Sequence, residues 1–398
     1  MKILYLNHTA HVSGAERSLL TLLGGIGGRA SVAAACPRGP LADACAALDV
    51  RVHPVPGTDG SLKLHPRYTT QTLLDLARAA GAVRRLVARH RFDIVHANSI
   101  RAGLVAAMAG IGDGAPAVVH VRDCLPDGAV TDATRRVLCA RTAAVIANSA
   151  YTLERFAVPG VKAFTRVIHN PVDLKRMDEA RVDRETARRR LGLHPTSGPV
   201  LGVVAQLTPW KAQDDAVRIV AALRASHPDI QLLLAGSAKF VSRATRYDNR
   251  AFVGSLVTLI RENELEDRVH LLGERDDVPA ILAALDVLLL PSWEEPFGRA
   301  VAEGMAMGVP VAATSVGGPR EILDDGVEGL LLPPQDPDAW ARALAPLLDR
   351  PARLSAMGRA GRERAARDLD VPAHVERVLE VYDRVVCQSH RISAASSH

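Results

Sequence analysis

Residues 291–323, PSWEEPFGRAVAEGMAMGVPVAATSVGGPREIL, hold the densest set of groups able to do chemistry. Glu295 and Glu303 are separated by seven residues. The first falls in a polar, glycine-containing loop after a buried apolar run, the second about one and a half turns into the helix that follows. Both can therefore face the mouth of a sheet. The helix start at Gly298, Arg299 and Ala300 offers N–H groups and a positive dipole end, which suit an anion. Carboxylates beside such a place suit a nucleotide diphosphate, since they accept hydrogen bonds from sugar hydroxyls. Acidic residues drawn to a helix start by its dipole alone give the same pattern.

A second place is VVAQLTPWKAQDD (203–215), where an apolar run enters a loop and Lys211 begins the next helix. The dipole opposes a lysine there, so Lys211 is either solvated or kept for an anion, such as a departing diphosphate. A third is NHTAHVSGAERSLLTLL (7–23), in which Gly14 opens an amphipathic helix and permits close backbone approach to a ligand. His96, His120 and His169 stand at or near strand ends and so face the expected cleft; the same places also suit structural histidines. His120, Arg122 and Asp123 (HVRD) form the best polar cluster of the first half, although Asp123 can simply pair with Arg122.

Other chemistries lack their motifs. No strand leads into G-x-G-x-x-G, which weakens a nicotinamide or flavin dehydrogenase. GGIGG (24–28) follows a helix and reads as a C-cap and loop. There is no G-x-x-x-x-G-K-[ST] for a P-loop kinase and no G-x-S-x-G elbow for an α/β-hydrolase. The five cysteines (36, 45, 124, 139 and 387) form no Cys-x-x-Cys pair and no zinc-ligand spacing. They read as thiols in a reducing compartment.

The elements that must position these groups are short continuous apolar runs alternating with amphipathic stretches. Strands are predicted at 2–6, 31–36, 50–55, 93–97, 116–121 and 143–147, with helices near 15–24, 70–90, 101–110 and 128–141. A second series of strands lies within 199–207, 229–236, 269–273, 286–291, 309–314 and 329–334. Continuous runs mark parallel strands covered on both faces, so the pattern predicts two doubly wound α/β domains. Their expected extents are 1–173 and 199–370, joined by a charged linker with a short helix at 174–198. Helices are expected at 336–350, 351–368 and 371–386, the last with apolar residues at 375, 378, 379 and 382, before a frayed end. Ligands lie at the carboxyl ends of parallel strands, so a single ligand is expected in the groove between two facing sheets.

At 398 residues, 48% hydrophobic and 23% charged, the chain has room for these two cores and excludes a disordered or disulfide-built class. Apolar runs of six to eight residues are far short of the ~20 that span a bilayer, and MKILYLNH is too soon interrupted for a signal peptide. The expected setting is cytoplasmic. The net charge of +5 does not mark a nucleic-acid binder, but it is unevenly spread. Residues 1–180 hold 22 Lys and Arg against 14 Asp and Glu, and residues 181–398 hold 27 against 30. The arginine-rich stretch 78–92 reads as an ordinary surface helix, with peripheral contact to anionic lipid at the inner membrane face as the alternative.

The chain resembles the retaining, nucleotide-sugar-dependent glycosyltransferases of family 4, which have the two-Rossmann-domain GT-B fold. The resemblance rests on SGAERSLLTLL, DIVHANS (93–99), VIANSAYT (145–152), VIHNPVD (167–173) and above all EPFGRAVAEGMAMGVPVAAT (295–314) with GGPREIL (317–323). It implies transfer of a hexosyl group from a nucleoside diphosphate sugar to an acceptor hydroxyl, with retention and without a metal or resident cofactor. Position by position it implies that Glu303 grips the ribose hydroxyls and that Glu295 faces the transferred sugar. Phe297, Gly298 and Arg299 would supply the loop whose backbone N–H groups approach the donor, Lys211 would meet the diphosphate, and Gly14 would close over it. The last helix would cross back onto the first domain. Two positions depart from the family pattern. Gln206 stands where an arginine is usual, shifting leaving-group stabilisation towards Lys211 and Arg299 or Arg320. Arg122 stands where a histidine is usual, with His120 two residues earlier on the same side of the strand. The implied acceptor is a carbohydrate, a lipid-linked or a small molecule, in polysaccharide, glycolipid or glycosylated-metabolite biosynthesis. An epimerase or phosphorylase of the same fold, or a non-catalytic sugar-nucleotide binder, are the alternatives.

Overall fold

The computed structural model describes residues 1–58, 66–111, 115–158, 163–193, 198–239 and 247–395, and they form two units, Met1–Pro171 with Val371–His398 and Val172–Asp370. Within the first, β1 (Lys2–Leu6), α1 (Gly14–Ile26), β2 (Ser31–Cys36), α2 (Pro40–Ala46) and β3 (Arg51–Pro54) precede the long α3 (Pro66–His90). Then come β4 (Ile94–Ala97), α4 (Ile100–Met108), β5 (Ala117–Val121), α5 (Ala129–Arg141), β6 (Ala144–Ala147), α6 (Ala150–Phe156) and β7 (Thr165–Val167). The second unit runs through α7 (Arg184–Arg190), β8 (Val200–Val204), α8 (Gln213–Leu223), β9 (Gln231–Ala235), α9 (Asn249–Glu262) and β10 (Val269–Gly273). It continues with α10 (Val278–Ala284), β11 (Val287–Leu290), α11 (Arg299–Ala306), β12 (Val311–Thr314), α12 (Pro319–Ile322) and β13 (Gly329–Leu332). After α13 (Pro337–Leu348) and α14 (Pro351–Asp368), α15 (Val371–Ala395) returns to the first unit.

Both sheets are parallel. Their strand orders are β3-β2-β1-β4-β5-β6-β7 and β10-β9-β8-β11-β12-β13. Apolar side chains cover both faces of each: Leu4, Val95 and Val119 lie in one cluster of the first unit, Ile3, Ile94 and Val118 in the other. This is why the strands read as unbroken apolar runs. The order reverses between β1 and β4 and between β8 and β11, the places in a parallel sheet where the loops leaving neighbouring strands diverge at the carboxyl edge.

Several expected boundaries shift, each for a packing reason. GGIGG does end α1, with Gly27 as the C-cap, but Gly24 and Gly25 still belong to the helix, and a side chain on Gly25 would lie 2.5 Å from Val371 on α15. The short helix expected within 174–198 is α7, but the segment belongs to the second unit: Ala187, with Leu191 and Leu193 beyond it, joins that unit's core, and Arg188 holds Asp286 at 2.8 Å. The end of the chain remains helical to Ala395. Val375, Val378, Val381, Tyr382 and Val385 of α15 are buried with α1 and the first sheet, each burial contributing roughly 1.5–3 kcal/mol.

Candidate active site

The carboxyl edge at β8 and β11 collects most of the residues singled out above. Lys211 does not begin α8 as expected. It ends a short 3-10 turn, Pro209–Lys211, and Ala212 follows in the left-handed region at φ 52° before the helix starts at Gln213. The turn points the Lys211 ammonium across to the β11 loop, where it pairs with Glu295 Oε2; the two side chains are 12% and 9% exposed. Ser292 Oγ donates to the same carboxylate oxygen at 3.2 Å. The ammonium also lies over the Trp210 ring, 4.0 Å from its centroid.

Glu295 is set by main-chain bonds to the loop after β12. Its N–H donates to Val316 O at 3.2 Å, and its carbonyl accepts from Gly318 N–H at 2.8 Å. Gly317 has φ 104°, and a Cβ there would sit 2.1 Å from the Glu295 carbonyl oxygen. The Gly-Gly-Pro segment is thus a steric requirement of the carboxylate's position. Phe297 is buried in the core at 2% exposure, so its backbone alone belongs to the edge. Gly298, at φ 94°, is the N-cap of α11. Arg299 in the first turn of α11 reaches Glu303 one turn later. The sequence candidates therefore form two ion pairs, Lys211 with Glu295 and Arg299 with Glu303, beside a helix N-terminus. Gln206 contributes its carbonyl, which accepts from buried Gln213 at 2.8 Å, and Arg320 is exposed.

In the first unit the candidates fall into a buried polar network. Arg122 is 5% exposed; its Nε donates to Asn98 Oδ1 at 3.2 Å, one terminal nitrogen meets Asn170 Oδ1, and the other lies 3.2 Å from His120 Nδ1. Asn98 donates to Asn7 Oδ1 at 3.2 Å, and Asn7 to Glu16 Oε1 at 3.2 Å. The other Glu16 oxygen accepts from Ser13 N–H at 3.1 Å, just before exposed Gly14, the first residue of α1. His96 and His120 do not open onto the edge of the sheet, contrary to the expectation from their strand-end positions. Both are fully buried, because Tyr382 of α15 covers this region with its hydroxyl 2.7 Å from His96 Nδ1 and 3.1 Å from Tyr5 Oη. Burial, with the nearby Arg122 guanidinium, holds both imidazoles well below their ordinary pKa. His374 of α15 is lowered to about 3, chiefly by burial and then by Arg122, while its Nδ1 contacts His169 O at 2.9 Å. His120 is therefore a neutral partner of Arg122. Asn148 joins the network by donating from Nδ2 to the Arg122 carbonyl at 3.1 Å, and sequence reasoning missed it together with Asn7, Asn98 and Asn170. The signal was present, an asparagine just after four apolar runs (LYLN, IVHAN, VIAN and VIHN).

Among the described residues no group of three or more His, Cys, Asp or Glu side chains is placed to hold a metal ion, and no helix is long and apolar enough to cross a membrane.

The sequence pattern of the glycosyl transferases group 1 matches residues 183–364, and that of Glycosyltransferase Family 4 matches residues 12–176. The chain belongs to glycosyltransferase family 4. The GT-B fold of that family is the fold described above. D-inositol 3-phosphate glycosyltransferase of Salinispora tropica is 36% identical over 237 residues, 56% of this chain and 47% of that protein. 2-Deoxystreptamine glucosyltransferase of Streptomyces kanamyceticus is 34% identical over 222 residues, 55% of this chain and 54% of that protein. The matched region thus spans about half the length of these curated relatives. Among solved structures, Anabaena HepE in complex with UDP-glucose is 26% identical with a TM-score of 0.80, over 96% of this chain and all of that one. Sucrose-phosphate synthase of Thermosynechococcus elongatus shares the fold, with a TM-score of 0.78 over 98% of this chain and all of that one, at 22% identity.

Proposed function

We propose that this protein is a retaining glycosyltransferase that moves a hexosyl group from a nucleoside diphosphate sugar, with uridine as the base, to an acceptor hydroxyl. The observation that carries the reading is the pairing of Lys211 with Glu295 beside the α11 N-terminus at the β8/β11 reversal. A cation and a helix dipole stabilise a departing diphosphate, and the paired carboxylates, Glu295 and Glu303, accept from hydroxyls of the sugar and the ribose. UDP-glucose in Anabaena HepE supports the uridine donor. The anomeric carbon–phosphate oxygen bond breaks as the acceptor oxygen bonds to the same carbon. The acceptor's proton passes to the departing diphosphate oxygen, so the products are a glycoside and UDP. Lys211 and the α11 dipole take the role a metal would have, and the reading calls for no resident cofactor. Gln206 brings a neutral group where a cation is usual, which leaves the charge to Lys211 and Arg299.

The relatives' names support a small cyclitol-type or carbohydrate acceptor in glycosylated-metabolite or polysaccharide synthesis. Unbridged cysteines, with burial pushing the Cys36 thiol up to about 12, fit residence in a reducing cytoplasm. Peripheral contact with a membrane face draws on α3, where Leu73 and Leu74 are 55% and 48% exposed on a helix that also exposes Arg78, Arg84, Arg85 and Arg89. Sedimentation with anionic vesicles, lost at high salt, is the expected result; equal partition with neutral vesicles or none at all removes membrane contact from the reading.

The test of the main reading is a panel of UDP-, GDP-, ADP- and dTDP-sugars, scored by thermal stabilisation and by glycoside formed with inositol phosphate and aminocyclitol acceptors. UDP-sugars should stabilise the protein and yield a glycoside of unchanged anomeric configuration. Binding without turnover would leave a sugar-nucleotide binder, and conversion of the donor with no acceptor an epimerase.

A further inference from the structure

The aromatic face beneath Lys211 has no part in the donor contacts proposed above. Trp210 and Trp293 are half-buried at the carboxyl edge, on the loops that follow β8 and β11. Trp293 N–H donates to the Trp210 carbonyl at 3.0 Å, which ties the two loops together. Lys211 N–H closes the turn on Thr208 O at 3.0 Å, and the backbone leaves that turn through buried Ala212 in the left-handed region, a conformation that costs a residue with a Cβ about 1 kcal/mol. The position of the Trp210 ring is thus built in, and the ring sits 4.0 Å from the ammonium. Tyr247 meets Trp293 edge-on at 6.1 Å, so the second indole is held as well.

The ammonium consequently has two partners of different kind. One is the Glu295 carboxylate, an anion that a diphosphate competes with for the same charge. The other is a π face, which attracts the cation electrostatically and does not compete with an anionic ligand. When a diphosphate arrives it can take the place of the carboxylate as counter-ion while the ring keeps its hold.

We propose that Trp210 is a positioning residue that clamps the Lys211 ammonium over its indole face, so that the ammonium can be handed from Glu295 to the departing diphosphate without losing its place. This role rests on the donor-site reading. The clamp itself is a property of the unliganded protein and can be measured without any reaction.

The first measurement is NMR on lysine-labelled protein. The chain has six lysines, so the Lys211 signals are assigned with a single Lys211→Gln variant. The ε-methylene protons of Lys211 should be shifted upfield by the indole ring current, and the shift should vanish in Trp210→Leu. Ordinary lysine shifts in the wild type would overturn the clamp. The second measurement follows turnover of the UDP-sugar used best in the donor panel, with water as the acceptor. Trp210→Leu should lower kcat by about 2- to 30-fold with a smaller change in KM, the range a cation–π contact supplies. Trp210→Phe, which keeps a face, should restore most of the loss. In a Lys211→Gln background, Trp210→Leu should cost no more than Lys211→Gln alone. An equal loss in both backgrounds, or a phenylalanine variant as poor as the leucine one, would show that Trp210 acts only by filling space. A wild type that neither binds UDP nor turns over any nucleotide sugar would refute the donor-site reading and the role in turnover together, and the ring-current shift would then stand as a structural contact alone.

Discussion

Lys211→Met removes the ammonium that faces Glu295 and keeps most of the aliphatic stem. The partner carboxylate is buried, with only 9% of its side chain exposed, so it cannot recover its lost counter-charge from water. Breaking a well-buried pair in this way costs about 3–5 kcal/mol. The Ser292 hydroxyl, 3.2 Å away, still donates to the carboxylate and offsets about 1 kcal/mol, leaving about 2–4 kcal/mol. With a urea dependence of about 2 kcal/mol per molar, the unfolding midpoint should fall by about 1–2 M. Tryptophan fluorescence is the assay, because Trp210, Trp293 and Trp340, the three tryptophans of the chain, all lie in the Val172–Asp370 unit. The transition it follows therefore belongs to that unit alone. Adding Glu295→Gln to Lys211→Met removes the stranded charge and should recover part of the loss. A Lys211→Met midpoint equal to the wild type, or a double variant less stable than Lys211→Met, would show that the buried ion pair does not organise this edge.

Glu303→Ala should weaken UDP binding about 10- to 100-fold by calorimetry, the value of a charged hydrogen-bond acceptor lost from the ribose; unchanged affinity would remove Glu303 from the donor site. Gly317→Ala should cut turnover far more than UDP affinity, because a Cβ 2.1 Å from the Glu295 main-chain carbonyl oxygen must displace that backbone and carry the carboxylate with it; wild-type turnover would show that the loop yields freely. Acidification should destabilise the first unit selectively. His374 is lowered to about 3 and His96 and His120 well below their ordinary value, so the unfolded chain binds more protons below about pH 6.5, and stability falls as pH drops from there towards 3. At pH 5 His374 alone accounts for about 2 kcal/mol. Circular dichroism should show a melting step that moves down between pH 7 and pH 5 more than the tryptophan-detected step does, and equal shifts of the two would contradict the buried neutral histidines.

Much of this was legible from periodicity. β1 and β2 fall on the residues where unbroken apolar runs placed them, because a strand covered on both faces leaves no polar alternation to blur its ends. Glu295 and Glu303 were legible for a different reason, since a strand, a glycine-containing loop and a helix start constrain where a carboxylate can go. What escaped depends on tertiary partners. Nothing local says that Gly25 stays helical to let α15 approach, or that Tyr382, some 286 residues after His96, caps it from that helix. Lys211 was placed on the right edge but in the wrong element, because the left-handed Ala212 that separates turn from helix has no glycine to announce it.

A crystal structure of the protein with UDP-glucose would show whether the β8/β11 edge binds a nucleotide sugar through Lys211, Glu295 and Glu303. The diphosphate should lie against the Lys211 ammonium and the N-terminal turn of α11, with the ribose hydroxyls on Glu303. A nucleotide bound elsewhere on the chain, with the Lys211–Glu295 pair undisturbed at saturating ligand, would contradict this site.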